Sequence, residues 1–279
     1  MRYISDTVRS EVVTITPQLA AKLLEQNTGN RKVSKTNYDS ILESMRSGEW
    51  VLNGESIKIS KNGRILDGQH RLMAAAENDL TFETFVIYGL PEFTQDTMDT
   101  GKSRNAADVL SINGYSSPNE LASITSGIIR SERWNLKAAF HGGAGYPVTP
   151  KQVLDRVQAE PTLVDLTQLS VSVRKKVPLT AKICGILYYR FSAISQEDAD
   201  YFFEKLANGY SLERGNPILA LRDTLFKMNN ANSNKGTRNQ VLVSALVIKA
   251  WNKFRDGSEC LSLRFTPGGA NPEKYPEPH

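Results

Sequence analysis

The chain is poor in the residues that bind metals or cross-link a fold. Its 279 residues include two cysteines and three histidines. Cys184 and Cys260 lie far apart with no CxxC spacing, so neither a disulfide framework nor a Cys/His zinc site is expected. A reduced, cytoplasmic setting is the expectation that follows. No stretch approaches the roughly 18 apolar residues of a membrane span. The longest apolar-rich run, AKICGILYYRFSAI, is interrupted by Lys182 and Arg190. The opening MRYISDTVRSEV lacks an apolar core, so no secretion signal and no membrane partner are expected. There is no convincing internal repeat and no dense basic run.

What remains is an ordinary globular composition, 40% apolar and 23% charged, in a chain long enough for one large or two small domains. The net charge of +4 is uneven. Residues 1–100 hold 11 Lys and Arg against 14 Asp and Glu, whereas the remaining 179 hold 23 against 16. A basic second half could face DNA; scattered solvated lysines would give the same count.

Residues 1–98 alternate helical and strand signals. ITPQLAAKLLEQN offers Thr16 as N-cap and Pro17 at the first helical position. NYDSILESMRSGEW places Tyr38, Ile41, Leu42 and Met45 on one helical face, ended by Gly48. ESIKIS alternates as a strand, KNGR is a hairpin-type turn, and RILD is a second short strand. HRLMAAAEND reads as a helix and TFETFVIYGLP as a third strand. The expected order is helix, strand, strand, helix, strand.

From residue 99 to 265 the pattern is helical. SPNE at 117–120 and TPKQ at 149–152 read as capping boxes with proline next to the cap. SQEDADYFFEKLANGY runs from a Ser195 cap to Gly209, and Val241, Ala245, Ile248 and Trp251 share one face of a late helix. FHGGAGYP is a glycine loop, either a lid or a plain connector. Residues 266–279, rich in proline and glycine, are expected to be a flexible tail. The fold class expected is α+β: a small mixed α/β domain followed by an all-helical one.

The chemistry concentrates in NGRILDGQHRLMAAAENDL, residues 62–80, where a strand turns into a helix through Asp67-Gly68-Gln69-His70-Arg71. A helix N-terminus presents unpaired N–H groups and partial positive charge, and phosphate is its common occupant. Gly68 would let the backbone approach a ligand closely. Arg71 could clamp phosphate oxygens in a bidentate pair. His70 could donate to a phosphate or move a proton near neutral pH. Asp67 beside a phosphate would be repulsive unless it caps the helix, holds a metal or takes a proton from a substrate. The bland alternative is a capped helix with solvated Gln69 and His70 and a surface ion pair at Arg71.

These residues, with SMRSGEWVLNGESIKIS before them and FVIYGL after, resemble the ParB/sulfiredoxin superfamily, and most closely the DGQHR-type ParB-like proteins of phages and mobile elements. The resemblance implies a nucleotide-phosphate site at this turn, with Gly68, Gln69, His70 and Arg71 contacting phosphates and a nucleoside triphosphate, ATP or CTP, as ligand with Mg²⁺. GNRKV lies where the superfamily often has a nucleotide-facing box, which adds Asn30 and Arg31. The chain departs from sulfiredoxins, with Gln69 where their catalytic cysteine would stand. It departs from the partition-protein box in having His70 for an arginine and no Gly-Glu pair. DTGKSRNAADVL and RNQVLVSALVIKAWNKFRDG are similar to parts of the longer phage-type members.

TGKS, residues 100–103, is not a P-loop, because Asp96 occupies the position that requires glycine. Lys102 and Arg104 could instead start a helix and reach the same phosphate, with Asp99 as a metal or hydroxyl partner; a capped helix with a salt bridge is the plain alternative. Glu55 could be a general base or metal carboxylate, or only the start of a strand. Asp67, His70 and Glu55 are thus the candidate catalytic residues. Three functions follow: an NTP hydrolase or phosphotransferase in phage or mobile-element DNA metabolism; a DNA-binding partition-like regulator; or a nuclease or DNA-modification enzyme. Further copies of the chain, as a homo-oligomer, are an additional candidate partner.

Overall fold

The structure, a computed structural model, describes residues 8–30, 32–98, 104–141, 145–231 and 240–279. The chain divides into two compact units, Met1–Ser103 with Gly143–Thr149, and Arg104–Gly142 with Pro150–His279. The first is mixed α/β and the second helical, so the chain is α+β.

The first unit is built on a four-stranded sheet in the order β1-β4-β2-β3. Its elements are β1 (Arg9–Ile15), α1 (Pro17–Leu24), α2 (Lys35–Arg46), β2 (Ser56–Ser60), β3 (Ile65–Asp67), α3 (Gln69–Glu77) and β4 (Phe82–Leu90). β1 was not foreseen from sequence. It pairs antiparallel with β4 from Arg9–Tyr88 to Ile15–Phe82. β2 runs parallel to β4 and antiparallel to β3.

The hairpin between β2 and β3 turns at Lys61-Asn62-Gly63, where the Ser60 N–H donates to the Arg64 carbonyl at 2.8 Å. Only Gly63 takes a positive φ, +84°, so a three-residue loop closed by a left-handed glycine forms instead of a two-residue Asn-Gly turn. Ile57, Ile59 and Ile65 point to the same side as Ile15, Phe82 and Val86. There they meet Ala20 of α1 and Leu72 and Ala75 of α3 in one apolar core. Thr16 caps α1, accepting from the Leu19 N–H at 3.2 Å. α2 contributes no fully buried side chain; it covers α3 with half-buried residues.

The helical unit contains α4 (Ala106–Ile112), α5 (Pro118–Arg133), α6 (Pro150–Ala159), α7 (Thr162–Lys176), α8 (Ala181–Ser192), α9 (Gln196–Asn208), α10 (Pro217–Ala231) and α11 (Gln240–Arg255). α5 and α8 cross where both carry glycine. A Cβ on Gly127 would lie 2.2 Å from Ile186 Cδ1, and one on Gly185 2.7 Å from Ile124 Cδ1. Trp251 of α11 stacks on Phe191 with ring centroids 4.2 Å apart. Ser195 caps α9, which ends at the left-handed Gly209. Ser117 does not cap α5: it adopts φ +49° with no side-chain cap bond, although Pro118 follows as expected.

The tail expected to be flexible is held along α11 by specific bonds. The Lys249 ammonium meets Glu273 at 2.9 Å, Ser244 and Tyr275 share a hydroxyl bond of 2.7 Å, and Trp251 Nε1 donates to the His279 carbonyl at 3.1 Å. Burial raises the Tyr275 phenol above its usual pKa. Proline content ruled out helix here without ruling out docking. Among the described residues no helix is long and apolar enough to cross a membrane.

Candidate functional site: the turn between β3 and α3

Asp67 ends β3, Gly68 is the N-cap residue of α3, and Gln69, His70 and Arg71 form its first turn. Gly68 sits at φ +104°, and a Cβ there would lie 2.9 Å from Ile57 Cγ1. Glycine is therefore required by backbone conformation and by the closeness of β2, a packing reason where ligand approach was expected. Gly68 supplies no capping side chain. Asp67, the other candidate cap, is turned toward cations.

Three charged groups meet behind this turn. Asp67 Oδ2 accepts from Lys58 Nζ at 2.6 Å and from Arg71 Nη2 at 3.4 Å. Arg71 Nη2 also donates to the Ser56 carbonyl at 2.8 Å. The residue is only 8% exposed, so the surface ion pair considered from sequence is in fact an interior one. Its Nη1 is buried with no hydrogen-bond partner. A buried guanidinium nitrogen without an acceptor is costly. Two cations against one carboxylate leave a surplus of one positive charge, to which the start of α3 adds its partial charge.

His70 is also buried, and its Nε2 accepts from the Ser34 N–H at 3.0 Å. That bond makes Nε2 the unprotonated nitrogen and fixes the start of α2 over α3. Nε2 is thus not available to donate to a phosphate, contrary to one of the roles foreseen for His70. Gln69 is buried rather than solvated, and its Oε1 accepts from Asn27 Nδ2 at 3.4 Å.

The turn separates two cavities. One, of about 360 Å³, is lined by Asn37, Trp50, Asn53, Glu55, Asp67, Gly68, His70 and Arg71, among others. The structure thus brings Glu55 to the same cavity as the DGQHR turn. No ion pair among the described residues engages its carboxylate. The second, of about 280 Å³, is lined by Asn30, Leu66, Asp67, Gly68, Gln69, His70, Gln95 and Met98.

Asn30 is committed to its own structure. Its Nδ2 donates to Asn27 Oδ1 at 2.5 Å and the Ile65 carbonyl at 2.8 Å, while its Oδ1 accepts from Gln95 Nε2 at 2.6 Å. Glu92 steadies the neighbouring hairpin through Ser60, Asn62 and Arg64, and the Ser60 hydroxyl is the leading cause of its lowered pKa.

Of the other candidates, Arg31, Asp99 and Lys102 lie outside the described residues. Arg104 is exposed in the helical unit, just before α4, which starts with a capping box between Asn105 and Asp108. Sequence reasoning missed Lys58, Trp50 and Gln95. Lys58 carried no simple signal: counting back from the hairpin turn sets it opposite Leu66, and only the register shift between Lys58 and Ile59 brings it opposite Asp67. Among the described residues no group of three or more His, Cys, Asp or Glu is placed to hold a metal ion. No family model, no curated protein and no solved structure matches this chain.

Proposed function

We propose that the α/β unit is a ParB/sulfiredoxin-like module that binds a nucleoside triphosphate at the start of α3, and that the chain is an NTP hydrolase or phosphotransferase of phage or mobile-element DNA metabolism. One observation carries the reading: Arg71 is buried behind an uncapped helix start with Nη1 unpartnered. An anion at the turn would meet first-turn N–H groups backed by this guanidinium and by Lys58.

In this reading Asp67 is a placeholder. Its carboxylate neutralises part of the cationic pair, and an incoming phosphate competes with it for Lys58 and Arg71. Glu55 is the carboxylate left to orient a water or an acceptor hydroxyl. Magnesium, which would neutralise phosphate charge, suits Glu55 and Asp67, two hard oxygen ligands on one cavity that need phosphate and water to complete the shell.

The test is a melting-temperature screen of the whole chain against ATP, CTP, GTP and UTP, with and without Mg²⁺. A nucleotide at 100 times its Kd stabilises by about 2.7 kcal/mol, so at least one should raise the melting point. A flat response to all four and to pyrophosphate overturns the reading.

A second reading, a DNA-associated regulator, rests on the surplus of seven basic residues after residue 100. It requires DNA binding that weakens steeply with added salt; no mobility shift at low salt rules it out.

A further inference from the structure

β1 forms one border of the sheet: β4 takes one of its edges, and no strand takes the other among the described residues. Such an edge is usually shortened, bulged, covered or guarded by like charge. β1 is seven residues long, contains neither proline nor glycine, and pairs with β4 without a register shift. Arg9 to Val12 are all exposed, and Val8 and Val12 are 40% and 48% exposed. Its two charged residues, Arg9 and Glu11, are opposite in sign.

We propose that β1 is a homotypic pairing edge, through which two copies of the chain join antiparallel about a two-fold axis at Ser10, fusing their four-stranded sheets into one. The proposal does not rest on the nucleotide reading.

The charge pattern selects the register. With the axis at Ser10, Arg9 of each copy lies opposite Glu11 of the other, and Val8 opposite Val12. With the axis at Arg9 or at Glu11, identical charges would face each other, which is destabilising. With the axis at Val12, Arg9 would face Ile15 and Glu11 would face Val13, and neither charge would be answered. The Ser10 register also segregates chemistry by face, because alternate residues point to opposite sides. Val8 and Val12 cover each other on one face, and the two Arg9–Glu11 pairs form on the other.

Tyr88 sits beneath those charges, with the Arg9 guanidinium 4.9 Å from its ring centroid. Burial first, then Glu11, raise its phenol pKa, which places the carboxylate beside the same ring. Arg9 and Glu11 are thus held close to one ring. A contact of so few residues is small, and it predicts a weak, concentration-dependent dimer.

The experiment is sedimentation velocity on the full chain over two decades of concentration. The wild type should move from monomer toward dimer. Arg9→Glu and Glu11→Arg should each raise the dimer Kd about tenfold or more, by turning two attractive pairs into two repulsive ones. The double exchange Arg9→Glu with Glu11→Arg should restore it. Ser10→Cys supplies an independent readout: under copper-phenanthroline oxidation it should cross-link rapidly, whereas Thr14→Cys should not. The native Cys184 and Cys260 are buried, which keeps the background low. A monomer at every concentration, self-association indifferent to both reversals, or equal cross-linking at positions 10 and 14 overturns the proposal.

Discussion

The two units bury different chemistry. Among the described residues of the helical unit the buried polar side chains are hydroxyls and one glutamine, and several hydroxyls close on the preceding turn of their own helix. Thr167 donates to the Leu163 carbonyl and Ser170 to the Leu166 carbonyl, each at 2.7 Å. The rest of that interior is packing, with glycines where α5 meets α8 and stacked rings around Trp251. In the smaller α/β unit, His70 and Arg71 lie in consecutive positions below 9% exposure, beside a buried Gln69. A small core can least accommodate such groups, because each costs desolvation that only a partner offsets. Cost concentrated at one turn, where local rules are broken, is the pattern that the proposed phosphate site would leave.

The comparison breaks if the helical unit does not depend on its aromatic packing. Trp251→Ala removes the stack on Phe191, the edge contact with Phe202 and the donor to the His279 carbonyl. It should lower stability by about 3–5 kcal/mol, read by denaturant titration. A loss below about 1 kcal/mol would mean that the packing has little energetic weight there.

Arg71→Met tests the other side. The substitution keeps volume but removes the donors to Ser56 and Asp67, so stability should fall by only about 1–2 kcal/mol. The nucleotide-induced rise in melting temperature should disappear. If that rise persists in Arg71→Met, the guanidinium is structural and the contrast between the units loses its functional meaning.

How much could be read from the sequence follows the same division. The turn between β3 and α3 and the caps at Thr16 and Ser195 are local patterns, and they are present as written, whereas α11 is buried on more than the one face expected, without a break from Val243 to Ile248. β1 escaped notice because five of its seven residues are exposed, on both faces, which erases alternation, and its last residue abuts the strong Thr16-Pro17 start signal. Gln95 meets Asn30 across 65 residues, a separation at which no local pattern speaks. The same holds for the tail, whose Tyr275 and His279 find partners on α11. Ser117 shows the converse: the capping pattern is present, but the residue adopts a left-handed backbone and its side chain makes no cap bond. Within the DGQHR turn, residue types were legible, whereas burial and partners were not. Nothing local says that His70 would accept from Ser34, or that Gly68 is demanded by Ile57.

Gly68→Ala sharpens that last point. The left-handed φ alone costs a non-glycine residue about 1–3 kcal/mol, and the new methyl group meets Ile57 besides. Gly68→Ala combined with Ile57→Ala should recover part of the summed loss of the two single changes, since alanine removes Cγ1, the carbon nearest the new methyl group. No recovery would place the whole cost in the backbone angle.

The smallest effect belongs to the helical unit and has a pH signature. Lys182, near the start of α8, is half-buried, and burial together with the nearby Arg130 lowers its pKa from 10.5 to about 8. No hydrogen bond or ion pair engages its ammonium among the described residues. Below pH 8 the folded chain holds this lysine charged in a site that disfavours the charge. Between about pH 8 and 10.5 the unfolded state binds more protons, so this group's contribution to stability rises with pH across that window. Lys182→Met removes the penalty. It should therefore stabilise the chain at pH 7, by an amount on the order of 1 kcal/mol after allowance for partial exposure. The advantage over wild type should shrink as pH approaches 10. A constant difference across that range would show that the substitution acts through packing alone, and that the helical unit, unlike the turn at Arg71, tolerates this poorly matched cation without electrostatic cost.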